Sequence, residues 1–423
     1  MQRKTKKLGR GVAMIGAGMS KFGVFKGVNN RDLFIEAFNS SLKAVDKGIG
    51  IDDIEALYVG NYSADLFEQQ TGPAEIIGDW LGLNPKPVTR IENMCASGGT
   101  AIREGVIAIA SGLFDVVLVG GVEKMTNLST DKVTDTLAYA SDVYYEQPCG
   151  FTFPGLYAVI ATAYLAKYKA TPEHLMKVAI KNHNNGALNP KGQFNATILS
   201  IMNSRIEKAK KNGGKVPDWK TDMDFLHDPG ANPVVAWPLR LFDCSPITDG
   251  AACVILAAEE VAKNFTDTPI YIIGTGQGSA PEIHDRPNMT STGSANEASR
   301  QAYEMAGVTA KDIQIAEVHD CFTIAELMAI EDLGFFQQGT AAQAAWDGAT
   351  ARDGSKPINL SGGLKSKGHP IGATGAGQAV EMWHQLRGEA GPRQVPIKNL
   401  RLGLTHNIAA TGGSCLVHIY ERR

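Results

Sequence analysis

Paired cysteines are missing from this chain. Six cysteines, at positions 95, 149, 244, 253, 321 and 415, are scattered through 423 residues with no Cys-x-x-Cys pair. That spacing excludes a disulfide framework and reads as reduced thiols in an intracellular enzyme. An excess of charge is missing too. The formal net charge is −3, so no global field draws the chain to nucleic acid or to an anionic membrane. No apolar run reaches the ~20 residues that cross a bilayer, and no secretory core opens the chain. The last residues, Tyr420-Glu421-Arg422-Arg423, are not a peroxisomal signal, and the basic start from Met1 to Arg10 is expected to be a frayed, solvated terminus. A phosphate-binding Gly-Lys-Ser/Thr loop is absent. Gly274-Thr275-Gly276-Gln277-Gly278 has the wrong spacing for a dinucleotide loop, with no helix or acidic residue following as required.

What the chain does have is glycine and apolar residues. Its 46 glycines and 43% hydrophobic content are ample for one or two substantial cores, and the length suits two or three domains. Short apolar strands alternate with helical patterns, which predicts an α/β architecture. Strands are expected at Val12–Gly16, Glu55–Gly60 and Asp115–Gly121, with helices over Arg31–Lys47 and Thr100–Ala110. Between about Met125 and Leu241 the pattern loses its regularity, as an inserted region that covers something would. Layering resumes at Asp249–Ala257, and Asn264 to Pro269 reads as a linker. A second series follows: a strand at Ile270–Ile273, a helix near Asn296–Gly307, a strand at Ile313–Val318, a helix to Leu386 and two closing strands. The chain therefore divides into residues 1–265, with an insertion at 125–241, and residues 266–423. The second half repeats the order of the first.

Two segments share one layout. In Asn93-Met94-Cys95-Ala96-Ser97-Gly98-Gly99-Thr100, a cysteine sits between an extended stretch and small residues that open a helix. A thiol there faces free backbone N–H groups and the positive helix end, which favour the nucleophilic thiolate. In His369-Pro370-Ile371-Gly372-Ala373-Thr374, the spacing is the same: Gly98 aligns with Gly372 and Thr100 with Thr374, so Cys95 falls opposite His369. A cysteine and a histidine at matching elbows make a nucleophile–base pair. Glu317-Val318-His319-Asp320-Cys321-Phe322 lies at a strand end, where reactive groups collect in open α/β sheets. Thr411-Gly412-Gly413-Ser414 is a loop that exposes backbone. The cluster His319-Asp320-Cys321 lacks further ligands at metal spacing, so no metal is expected.

Together these segments resemble the thiolase superfamily, and most closely its sterol carrier protein 2 type and archaeal acetyl-CoA acetyltransferase branches. The motifs that carry the resemblance are Asn93 to Gly98, His319-Asp320-Cys321-Phe322, Ser245 to Ala252 and Ser361 to Pro370. It implies duplicated αβαβαββ halves in a five-layered α-β-α-β-α core with an inserted loop domain. It also implies acyl transfer to and from coenzyme A: thiolytic cleavage of 3-ketoacyl-CoA or Claisen condensation of acetyl-CoA. By this resemblance Cys95 takes the acyl group, and His369 is its base and a donor of the first oxyanion hole. His319 replaces the asparagine that normally holds the water completing that hole, and Gly412 joins the Cys95 N–H in a second one. Ser245 meets the pantetheine arm, and Met125 lies near that pocket. Ala410 stands where commoner thiolases carry a second thiol, and Cys321 is expected to replace it in α-proton transfer. No permanent cofactor is implied beyond coenzyme A or acyl-CoA as substrate. A homodimer or dimer of dimers is implied, with a partner subunit as in archaeal relatives, and a cytoplasmic setting, mitochondrial or peroxisomal in a eukaryote. The rival readings are an aldolase on the same fold and a non-catalytic acyl-CoA- or lipid-binding subunit.

Overall fold

The computed structural model describes residues 6–423. The expectation of a solvated terminus lies, for Met1 to Thr5, outside the described residues.

The first half is built on β1 (Val12–Met19), β2 (Ala56–Gly60), β3 (Val88–Ile91) and β4 (Val116–Glu123). Helices α1 (Asn30–Lys43) and α2 (Ser97–Ala110) connect them. Asn29 caps α1: its side chain accepts from Asp32 N–H while the Asp32 carboxylate returns to the Asn29 N–H. The insertion is more helical than its sequence pattern predicts. It contains α3 (Thr130–Ala138), α4 (Phe153–Tyr168), α5 (Pro172–Gly186) and a small hairpin of β5 (Val234–Ala236) and β6 (Leu239–Arg240). Thr171 and Pro172 start α5 as cap and first-turn residue. Strand β7 (Gly250–Ala258) closes this half.

The second half runs through β8 (Ile270–Ser279), α6 (Gly293–Ala306), β9 (Ile315–Glu317), α7 (Thr323–Asp332), α8 (Thr374–Arg387), β10 (Leu402–Ala409) and β11 (Ser414–Arg422). Strand β8 continues well past Ile273, through the three alternate glycines at 274, 276 and 278. A Cβ on any of these would strike the α6 backbone, at Ala302, Ala298 and Ser294 respectively. Glycine is what lets α6 lie directly on the strand.

The strands join in one mixed sheet ordered β3-β2-β4-β7-β1-β8-β11-β10-β9. Its two ends are alike. Beyond β9, Ile358 bridges Ala316 in parallel, the place that β3 takes beside β2. The order Ile358-β9-β10-β11-β8 thus mirrors β3-β2-β4-β7-β1. The halves meet at a short β1–β8 contact, Ala13 with Tyr271 and Met14 with Ile270.

Three apolar clusters make the layers. One packs α1 against Ile15, Val59, Leu118 and Ile255 on one outer face. A second packs Ala298 and Ala302 of α6 and Ile324 to Ile330 of α7 against Val417 and Ile419. The third lies between, with Ile102 and Val106 of α2 and Val380 and Trp383 of α8 touching strands of both halves. The result is five layers, with α2 and α8 side by side in the middle. No helix among the described residues is long and apolar enough to cross a membrane.

Candidate active site

Helices α2 and α8 approach through glycine. A Cβ on Gly98 would lie 2.6 Å from the Gly372 carbonyl oxygen and 3.0 Å from the Ala376 nitrogen. The residues aligned in the sequence thus touch in space, and the elbows that precede the two helices face each other. One carries Cys95 and the other His369. The Cys95 sulfur and one ring nitrogen each of His369 and His319 lie within 4.8 Å of one another.

Cys95 sits in the single 3₁₀ turn Met94–Ala96 that leads into α2. Met94 holds the left-handed conformation, φ +50°, a strain worth about 1–3 kcal/mol in a non-glycine residue. Two amides reach the sulfur, its own and that of Ala410. These favour the thiolate, as the helix end was expected to, but burial outweighs them. The thiol is pushed up to about 12, chiefly by burial, against the pull of the Ala410 N–H. Cys95 therefore rests as a neutral thiol, which can act as a nucleophile where a neighbouring group accepts its proton.

His369 offers an acceptor beside it. The Thr374 hydroxyl donates to the Pro370 carbonyl at 3.0 Å, so it accepts from His369 Nδ1 at 2.6 Å. That leaves the Nε2 lone pair of His369 free. Burial, with Lys367 nearby, lowers the imidazole to about 3, so it is neutral. The Thr248 hydroxyl accepts the His369 N–H at 3.0 Å and fixes the elbow from the first half. Glu123 does the same from β4, accepting from Gly372 N–H at 3.0 Å and from Tyr62 N–H at 2.8 Å.

His319 meets His369 edge to face, with ring centroids 5.0 Å apart. It is fully buried, and burial lowers it well below its ordinary value, with the two neighbouring histidines adding to the effect. Its neighbour Asp320 turns away. It accepts from Asn182 at 2.7 Å and from Leu364 N–H at 2.6 Å, tying this loop to the one bearing His369.

A cavity of about 150 Å³ opens beside these groups. Cys95, His369, Cys321 and Ser245 line it, with apolar walls from Leu137, Phe153, Ile247 and Phe322. The insertion supplies Leu137 and Phe153, so it covers the site. Ser245 N–H donates to the Cys321 carbonyl at 2.9 Å. The Cys321 thiol is raised by burial and meets the Tyr157 hydroxyl, which also donates to the Ala410 carbonyl at 2.9 Å.

One expected residue, Gly412, stands elsewhere, while Met125 lies near the pocket as expected. Gly412 N–H donates to the Ala409 carbonyl at 2.9 Å, and its carbonyl accepts from Ser294 at 2.6 Å. Gly412 is thus bound within its own turn, and the amide at the sulfur belongs to Ala410, held at φ +48°. Met125 packs behind the cavity wall with Val133 and Ile371, its N–H on Asp249 at 2.8 Å. The sequence reading missed Tyr157, which has no local signal, and Asn407. Asn407 follows Thr405 and His406 inside a buried strand, and that polar run between apolar ends was the available signal.

The chain is similar to known proteins along nearly its whole length. The description "Thiolase, N-terminal domain" matches residues 12–260, and "Thiolase C-terminal domain-like" matches residues 276–422. An acetyl-CoA acetyltransferase of Methanothermobacter thermautotrophicus is 44% identical over 98% of this chain and 100% of its own length. One from Methanocaldococcus jannaschii is 42% identical over 97% of this chain and 98% of its own. Sterol carrier protein 2 of Bos taurus is 32% identical over 97% of this chain and 72% of its own. Among solved structures, the Ltp2-ChsH2(DUF35) aldolase superposes with a TM-score of 0.78 at 23% identity, covering 98% of both chains. Human mitochondrial 3-ketoacyl-CoA thiolase in complex with CoA gives 0.69 at 19% identity, covering 98% of this chain and 99% of that one. With two family models spanning both halves and an acetyl-CoA acetyltransferase aligned along its whole length, the chain belongs to the thiolase family.

Proposed function

We propose that this thiolase transfers an acyl group between coenzyme A and carbon through a thioester on Cys95, with acetyl-CoA as donor. The observation that carries the reading is the meeting of a thiol from one half with a free imidazole lone pair from the other beside an apolar cavity. In the acylation step His369 Nε2 takes the Cys95 proton as sulfur attacks the thioester carbonyl, and the proton then passes to the departing CoA sulfur. By this reading the amides of Cys95 and Ala410, which reach the resting sulfur, receive the charge that develops on the acyl oxygen. In the second step His369 takes the Cys321 proton, to return it to Cys95 when the acyl group departs, and the Cys321 thiolate removes the weakly acidic α-proton of the incoming thioester. Its enolate attacks the acyl-Cys95 carbonyl, and the reverse sequence cleaves a 3-ketoacyl-CoA. His319 donates to the thioester oxygen in both directions, and Ser245 faces the pantetheine arm. The acetyl-CoA acetyltransferases among its relatives support the donor.

A homodimer or dimer of dimers in the cytoplasm belongs to the same reading. A partner subunit does too, supported by the paired Ltp2-ChsH2(DUF35) assembly of this fold. Incubation with acetyl-CoA followed by intact and peptide mass should place one acetyl group on Cys95, absent in Cys95→Ala. Binding of acetyl-CoA with no adduct overturns the proposal and favours an aldolase or a binding subunit.

A further inference from the structure

We infer that Asn407 is a positioning residue that holds His319 in its Nε2–H tautomer, so that an N–H and not a lone pair is offered to the acyl oxygen. The inference rests on the thiolase reading for what the N–H does, but not for which nitrogen carries the proton.

The assignment follows from one amide. Gly99 N–H donates to Asn407 Oδ1 at 3.2 Å, and this fixes which end of the side chain is oxygen. The Nδ2 group, pointing the other way, donates to the Cys95 carbonyl at 2.9 Å and lies 3.1 Å from His319 Nδ1. A donor facing Nδ1 requires a lone pair there, so the ring proton sits on Nε2. His319 Nε2 is buried and has no partner among the described residues. Leaving such a group unpaired costs about 1–3 kcal/mol, an expense tolerated where a ligand oxygen is to be met. An N–H cannot ligate a metal, so the cluster of Cys95, His319 and His369 acts as donors and a base and not as a cation site.

Asn407 has been given room. Cβ atoms on Gly99 and Gly375 would both strike its side chain, so the first turns of α2 and α8 are open where the amide passes between them. It reaches the nucleophile's carbonyl, the start of α2 and the oxyanion histidine at once. Asn407 itself touches no reacting atom. Its contribution is orientation, and an imidazole held in the wrong tautomer has cost other enzymes as much as ~10⁴ in rate.

The test uses full-length protein labelled with ¹⁵N-histidine. Long-range proton–nitrogen spectra, with His319→Gln to assign the signal, should show the proton on Nε2 of His319. Asn407→Asp presents an acceptor to Nδ1 and should move that proton to Nδ1, with acetylation of Cys95 slowed ~10²–10³-fold and the KM for acetyl-CoA little changed. Asn407→Ala should leave a mixture of tautomers and a smaller loss. A parent protein with His319 protonated on Nδ1 overturns the inference, as does Asn407→Asp or Asn407→Ala with the parent tautomer. The spectra need no turnover. A protein that shows the Nε2 proton yet never acetylates Cys95 refutes the thiolase reading alone.

Discussion

Gly98→Ala tests whether the two elbows must touch. The added methyl would sit 2.6 Å from the Gly372 carbonyl oxygen, about 0.8 Å short of the 3.4 Å at which ordinary contact begins. All three obstacles, Gly372 O, Ala376 N and Gly375 N, are backbone, so no side chain can swing aside. Helices α2 and α8 must part by most of that distance, and Cys95 moves with one while His369 moves with the other. Overpacking of this kind costs about 1–3 kcal/mol. A displacement near 1 Å at reacting groups costs on the order of 10²-fold in rate. Quenched-flow acetylation by acetyl-CoA, read by intact mass, should fall ~30–100-fold, and the urea midpoint should drop. Gly214→Ala is the control, because its methyl meets only the Ala209 carbonyl at 3.8 Å. Acetylation of Gly98→Ala within twofold of the parent would show that the cysteine and histidine do not depend on this contact.

Cys321→Ser should slow condensation and thiolysis by ~10²-fold while Cys95 still acetylates, and equal losses in both would remove its role as second acid–base. Tyr157→Phe strands the Ala410 carbonyl that its hydroxyl meets at 2.9 Å. It should lower stability by about 1–3 kcal/mol by urea titration, and an unchanged midpoint would show that water replaces it. His369 tests the pH behaviour. It is lowered to about 3 from 6.5 by burial, so between those values the unfolded chain binds a proton that the folded chain refuses. Its contribution to stability is full above pH 6.5 and declines as pH falls, by up to about 1.4 kcal/mol per pH unit. His369→Asn should flatten the fall in urea midpoint between pH 7 and 5, and a slope as steep as the parent's would show that His369 is not the group responsible.

Much of this was legible in the sequence because it is local. The alternation of strands and helices, and the two elbows with glycine and threonine at matched spacing, follow from short-range pattern, and the pairing of Cys95 with His369 followed from aligning them. What was not legible depends on partners far along the chain. The length of β8 was hidden because glycines that read as a loop are there to admit α6. The ionisation of Cys95 was misjudged because helix-end amides are visible in sequence while burial is not. Gly412 was expected to supply an amide, but the turn consumes it and brings Ala410 forward. Asn407 lies 312 positions from the carbonyl it holds, and no spacing rule reaches so far.

The seam between the like halves has a consequence for how this molecule fails. Cys95, His369, His319 and Cys321 are divided across it, and among the described residues strands β1 and β8 pair there at Ala13–Tyr271 and Met14–Ile270. Neither half carries the whole cluster by itself. A small loosening along that line would silence the chemistry while nearly every helix and strand stayed formed, so turnover is a finer gauge of intact docking than any spectroscopic measure of folded content.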